Sequence, residues 1–191
     1  MSESEVMFKE FPKIYRLNRD IIITEKLDGT NGLIYINNEA NQFLVGSHSR
    51  WITVDNDNHS FAKWCESNKA DLLSLGDGYH YGEFWGNGIQ RGYGLPNGQK
   101  RFSLFNVHRW SSDFGRDKDK RPKCCETVPV LYQGKYSELA ILDSLEALRQ
   151  HGSFAVPFMN PEGIVIYWSQ ANFSFKVTLQ NDEQHKSEKI K

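Results

Sequence analysis

The chain has 191 residues, 39% of them hydrophobic and 25% charged, which fits one domain with a sizeable core. Lys and Arg total 23 against 24 Asp and Glu, so the net charge of −1 gives no overall pull towards nucleic acid, and any polyanion must be met by a local basic patch. No apolar run is long enough to cross a bilayer, and Cys65, Cys124 and Cys125 show neither an even count nor CxxC spacing, which excludes a disulfide framework and a structural zinc site.

The opening residues Met1-Ser2-Glu3-Ser4-Glu5 are acidic and polar where a secretory signal is basic and then apolar, so an intracellular, cytoplasmic protein with reduced thiols is expected. Ile21-Ile22-Ile23 reads as a buried strand and Gly32-Leu33-Ile34-Tyr35-Ile36 as a second. Asp28-Gly29 predicts a hairpin turn between them, with the glycine taking a positive φ. Gln42 to Gly46 is a third strand, ending in Ser47-His48-Ser49-Arg50. Residues 57–75 read as a helix, with Phe61, Trp64, Cys65 and Leu72 at roughly helical spacing, Asp57 or Asn58 as cap and Gly76 as stop.

Strand character returns over Tyr79–Trp85 and again over Arg101–His108, and the glycine-rich stretch 86–98 between them reads as a mobile loop. A second loop, 111–123, carries Arg116, Lys118, Lys120, Arg121 and Lys123. After a short strand at 128–132, residues 137–150 give the strongest helix signal: Leu139, Leu142, Leu145 and Leu148 recur every three, Ser137 can cap and Gly152 can stop it. Residues 163–168 and 173–179 form a last strand pair. Strands and helices mix without βαβ alternation, which predicts an α+β fold of mostly antiparallel sheets with flanking helices, a domain over 1–180 and a polar tail over 181–191.

Lys26 ends the first strand within Thr24-Glu25-Lys26-Leu27-Asp28-Gly29-Thr30-Asn31. A lysine amine attacks an electrophile only when neutral, and with a free pKa of about 10.4 it needs desolvation or neighbouring cations to lose its proton. A strand end at the floor of a cleft supplies both, although the local pattern also describes a surface lysine beside a turn. Charged residues interrupt or flank strand-like runs at Lys26, Arg50, Glu83, Glu162 and Lys176. Singly, each also reads as an exposed strand residue or half of an ion pair; the ordered combination carries the signal.

That combination resembles the covalent nucleotidyltransferase superfamily of polynucleotide ligases and capping enzymes, most closely the ATP-dependent RNA ligase family. The matching elements are Glu25-Lys26-Leu27-Asp28-Gly29-Thr30-Asn31-Gly32, Gly46-Ser47-His48-Ser49-Arg50-Trp51, Tyr81-Gly82-Glu83-Phe84-Trp85-Gly86, Phe102 to Val107, Pro161-Glu162-Gly163-Ile164-Val165-Ile166 and Phe175-Lys176-Val177, in the family's order. The resemblance implies that Lys26 attacks the α-phosphate of ATP and holds AMP, with Mg²⁺ or Mn²⁺ as metal, Lys176 at the α-phosphate and Asp28 orienting the lysine. It further implies Glu83 and Arg50 at the ribose, Glu162 at the metal, Glu25 at the adenine amino group, and Phe105 stacked on adenine, with Phe102 close enough in sequence to be confused with it. The expected substrate is RNA with 5′-phosphate and 3′-hydroxyl ends.

Two features depart from the family's pattern. The last strand often carries two lysines separated by one residue, whereas Ser174 and Thr178 flank Lys176 here, leaving Arg91 or Arg101 to compensate and to contact nucleic acid. After Leu179 only the polar tail remains, so no separate C-terminal domain is expected and an accessory protein or domain would have to grip the nucleic acid. Rival readings are an ATP-dependent DNA ligase, a capping guanylyltransferase using GTP, and a non-catalytic nucleotide- or nucleic-acid-binding module.

Overall fold

Ten strands and four helices follow one another in the computed structural model, which describes residues 7–180 and residue 182. The strands are β1 (Asp20–Lys26), β2 (Thr30–Asn37), β3 (Gln42–Gly46), β4 (Trp51–Ile52), β5 (Gly78–Gly86), β6 (Lys100–Leu104), β7 (Cys125–Thr127), β8 (Val130–Lys135), β9 (Gly163–Trp168) and β10 (Phe173–Thr178). The helices are α1 (Phe61–Ser67), α2 (Lys69–Leu72), α3 (Val107–Trp110) and α4 (Glu138–His151). The expected tail 181–191 lies outside the described residues except for Asp182, whose Oδ1 accepts from Thr178 N.

The strands form a four-stranded sheet, β10-β9-β1-β8, and a six-stranded sheet, β4-β3-β2-β5-β6-β7, antiparallel throughout except for the parallel pair β6 and β7. The α+β expectation therefore holds. Period-two alternation gives each sheet two faces. One face of the six-stranded sheet packs Ile34, Ile36, Val45, Phe84 and Phe102 against Phe61 and Cys65 of α1. The four-stranded sheet packs Ile21, Ile23, Ile164 and Ile166 against Ala140, Leu145 and Leu148 of α4. Between the sheets, Ile22, Leu27, Trp85, Tyr93, Leu95, Val107 and Val128 form a third cluster.

The hairpin expected at Asp28-Gly29 is absent. Both edges of β1 are taken by β8 and β9, and both edges of β2 by β3 and β5, so residues 27–29 carry the chain from one sheet to the other. Gly29 is required for a different reason from the one expected: its φ is not positive, but a Cβ there would collide with the Phe84 carbonyl oxygen and lie 2.8 Å from Trp85 Cβ.

Three other expectations are corrected. The 57–75 helix is broken into α1, α2 and a tight turn over Leu73–Leu75, stopped by Gly76 at φ 73; Asp57 caps it by accepting from Ala62 N and Lys63 N. The 101–108 strand ends at Leu104, because Asn106 accepts from Arg109 N and starts α3. The 86–98 stretch is not a loose loop: Ile89, Tyr93 and Leu95 are buried, so its apolar residues anchor it while its glycines supply the bends.

In α4 the cap Ser137 and the stop Gly152, at φ 77, are as expected, but the leucine stripe is not the buried face. Leu139 and Leu142 are exposed, whereas Ala140, Ser144, Leu145 and Leu148 are buried. A spacing of three slips back by about 60° per step on a helix of 3.6 residues per turn, so it cannot stay on one face.

Gly29→Ala is expected to lower stability by roughly 2–4 kcal/mol, since the colliding atoms are backbone and cannot swing aside. Gly88→Ala, at φ 77 with open space around it, should cost only about 1 kcal/mol. Urea denaturation of the two variants checks the order.

Candidate active site

A cavity of about 820 Å³ opens between the two sheets. The four-stranded sheet lines it with alternate residues: Ile22, Thr24 and Lys26 of β1, Val165 and Tyr167 of β9, Ser174 and Lys176 of β10. The register sets this face, since Val165 lies between Thr24 and Lys176, and Tyr167 between Ile22 and Ser174. Asn31, Tyr79, Tyr81 and Glu83 line it from the six-stranded sheet, and Phe105, Asn106 and His108 from the segment after β6.

Lys26 Nζ donates to Glu162 Oε2 at 2.7 Å, with the lysine side chain 21% exposed and the glutamate 5%. Glu162 is held by its place just before β9, where its carbonyl accepts from Leu179 N. Asp28 is fixed from two sides: its N–H donates to the Tyr93 hydroxyl at 2.9 Å, and its Oδ2 accepts from Arg91 Nε at 3.0 Å. Arg91 Nη1 also donates to the Asn160 carbonyl and side-chain oxygens and to Pro161 O. One guanidinium thus ties the Asp28 crossing to the segment that presents Glu162.

Glu83 accepts from Gly29 N at 3.0 Å. Burial pushes its carboxyl up to about 7; the Lys26 charge and the Gly29 hydrogen bond oppose that shift, and Glu162 and Asp28 reinforce it. Glu25 is buried, and burial raises its pKa against hydrogen bonds from Ser153, Phe154 and Ala155. Its Oε2 accepts from Phe154 N at 2.8 Å, while its Oε1 has no hydrogen-bond partner among the described residues. A buried acceptor in that condition suits a ligand's N–H donor.

The ten expected positions divide into seven at the cavity and three away from it. Lys26, Asp28, Glu25, Glu83, Phe105 and Lys176 line the cavity, and Glu162 joins them through its bond to Lys26. Phe105 is 39% exposed, whereas Phe102 is fully buried against Phe61, which separates the two. Arg50 is not brought to the cavity wall; it is exposed and donates to Asn56 O at 3.3 Å. Arg91 and Arg101 do not line the cavity either, since Arg91 is spent on Asp28, Asn160 and Pro161, and Arg101 pairs with Glu126. Neither takes the place of a second lysine beside Lys176.

Sequence reasoning missed Tyr93, His108 and Tyr167. Tyr93 lies between two glycines at φ 50, and an aromatic residue in an otherwise polar glycine-rich run was the available signal. His108 and Tyr167, which both line the cavity, approach edge to face at 6.3 Å, a contact between residues far apart in the chain that no local pattern marks.

Among the described residues no group of three or more His, Cys, Asp or Glu side chains gathers to hold a metal ion. Carboxylates are nonetheless the right donors for a hard cation such as Mg²⁺ or Mn²⁺, which takes one or two of them and fills its shell with phosphate oxygens and water. Glu162 and Glu83, near enough to influence each other's charge, fit that smaller requirement.

The RNA ligase family profile matches residues 19–178. No curated protein gives a significant sequence match. Among solved structures, an apo mutant of Naegleria gruberi RNA ligase is 20% identical with a TM-score of 0.60, and a mutant of the same enzyme with AMP and Mn gives 0.62 at the same identity. A further mutant with ATP and Mn gives 0.58 at 20% identity. Each covers 88% of this chain and only 52% of its own, so the chain spans about half the length of these relatives and shares their fold over that half. With the profile reaching from just before β1 to the end of β10, the chain belongs to the RNA ligase family.

Proposed function

We propose that this chain is the nucleotidyltransferase unit of an ATP-dependent RNA ligase and works through a lysyl-AMP intermediate on Lys26. The observation that carries the reading is the Lys26 amine lining the cavity, 2.7 Å from Glu162, with Glu83 and Lys176 lining the same cavity. Lys26 Nζ, its proton passed away through Glu162, attacks the α-phosphorus of ATP; the P–N bond forms as the bond to pyrophosphate breaks. Lys176 faces the developing negative charge on the phosphate.

The 5′-phosphate of an RNA then attacks the same phosphorus, releasing Lys26 and forming a 5′–5′ pyrophosphate linkage. A 3′-hydroxyl next attacks the RNA phosphorus and expels AMP. Splitting the joining this way keeps the phosphoryl group activated throughout. Glu162 and Glu83 would hold a divalent cation together with the phosphates, and such a cation supplies neutralisation of the charge that gathers on the transferring group.

In this reading Glu83 accepts from ribose hydroxyls and Phe105 stacks on the base, roles supported by both residues lining the cavity and by the exposure of the Phe105 ring. The Glu25 Oε1, without a hydrogen-bond partner among the described residues, suits the exocyclic amino group of adenine. The relatives solved with ATP, AMP and Mn support it by analogy.

Incubating the protein with ATP and magnesium should add one AMP to the Lys26 peptide by mass spectrometry, and Lys26→Ala should bring that signal to background with the fold intact. AMP retained on the variant would remove Lys26 from the mechanism, and a wild type that takes no AMP would remove the reading.

Glu83 also governs pH dependence. Because its folded pKa is raised from 4.5 to about 7, the stability it contributes is complete below about 4.5 and lost as pH rises through about 7. Glu83→Gln keeps an oxygen for Gly29 N but carries no charge. At pH 8 it should therefore be more stable than the wild type by roughly 2–3 kcal/mol, with less pH dependence between the two values and weaker AMP transfer. Thermal melts across that range read the sign directly.

A further inference from the structure

The face of the six-stranded sheet that carries Glu83 continues beyond the cavity as a strip of aromatic rings. In register, Asn31 lies opposite Glu83, Leu33 opposite Tyr81 and Tyr35 opposite Tyr79. Leu33 is also opposite Gly46, which pairs with Trp51. Tyr81, Tyr79, Tyr35 and Trp51 therefore share the Glu83 face, turned away from the side packed on α1.

The rings touch in series. Tyr79 and Tyr81 are 6.4 Å apart and within 15° of parallel, Tyr35 and Tyr79 are 4.7 Å apart, and Tyr35 and Trp51 6.5 Å. Tyr79, Tyr81 and Trp51 are 58%, 55% and 49% exposed. The outer face of an antiparallel sheet is ordinarily polar, and single exposed apolar residues need no explanation, but a connected run of open rings does. Tyr79 and Tyr81 themselves line the Lys26 cavity, so the strip is continuous with the candidate active site.

We propose that this strip is a stacking track for the unpaired bases of a single-stranded RNA whose reactive end lies in the cavity, an inference that rests on the RNA-joining reading above. Every base presents a π-face, so aromatic rings in sequence hold a strand without reading its order. Continuity with the cavity sets the occupant: a strand whose terminal phosphate or hydroxyl reaches Lys26 must leave along one of the surfaces that border it.

The test uses the full chain and a fluorescent oligoribonucleotide of mixed sequence, single-stranded or annealed into a blunt duplex, with binding read by polarisation. Trp51→Ala and Tyr35→Ala should each weaken single-strand binding about tenfold, Trp51→Phe should restore most of the loss, and the wild type should prefer the single strand. Melting curves confirm that the variants fold. Single-strand binding unchanged in both alanine variants, or equal binding of the duplex, overturns the track. So does a change in sedimentation of these variants without a change in RNA binding, which would make the strip a polypeptide interface. AMP transfer to the wild type, measured in parallel, separates the two readings: strip-dependent binding without AMP transfer leaves the track standing and removes the ligase reading, and AMP transfer with strip-independent binding does the reverse.

Discussion

A charged amine on the cavity wall and the carboxylate it meets, Lys26 and Glu162 at 2.7 Å, are the contact on which the rest of the site depends. Removing two such charges from water costs several kcal/mol each, and only close geometry and further polar neighbours offset it. The neighbours are present: Lys26 acts on Glu83 across the cavity, and Glu83 is anchored in turn by the Gly29 amide. The pair orients the lysine while keeping a proton acceptor within reach of it. A lysine free to swing in solvent would have neither.

The pair is steadied from behind by a segment that looks like the least ordered part of the chain. Tyr93 and Arg91 both come from the glycine-rich stretch, and between them they hold the Asp28 amide, the Asp28 carboxylate and the Asn160-Pro161 backbone. The buried Ile89 and Leu95 fix that stretch to the protein, so the glycines serve bends in a packed element. The two chain segments that present Lys26 and Glu162 are thereby joined through one arginine. Replacing that arginine would loosen the relation between them without touching either Lys26 or Glu162.

Much of this was legible in the residue pattern, and the gaps have physical causes. Charges that interrupt apolar strands are costly unless something uses them, which is why Lys26, Glu83 and Lys176 stood out and why all three line the cavity. Asp28-Gly29 was misread because a turn within one sheet and a crossing between two use the same small residues; what decides is which strands fill the edges of β1, and those lie more than a hundred positions away. The leucines of α4 misled through their spacing, since three is close to the helical repeat without matching it. Arg50, Arg91 and Arg101 were hardest to place, because a long flexible cation takes its role from whichever acceptor the fold brings near it.

The order of the strands along the chain has a consequence for synthesis. Lys26 is made before its carboxylate partner, which follows 136 residues later and reaches it only when β9 closes on β1. Contacts of such separation form late and slowly. A nascent chain that has not yet added β9 therefore lacks the carboxylate with which Lys26 pairs, and the wall of the cavity that β9 and β10 supply is still missing.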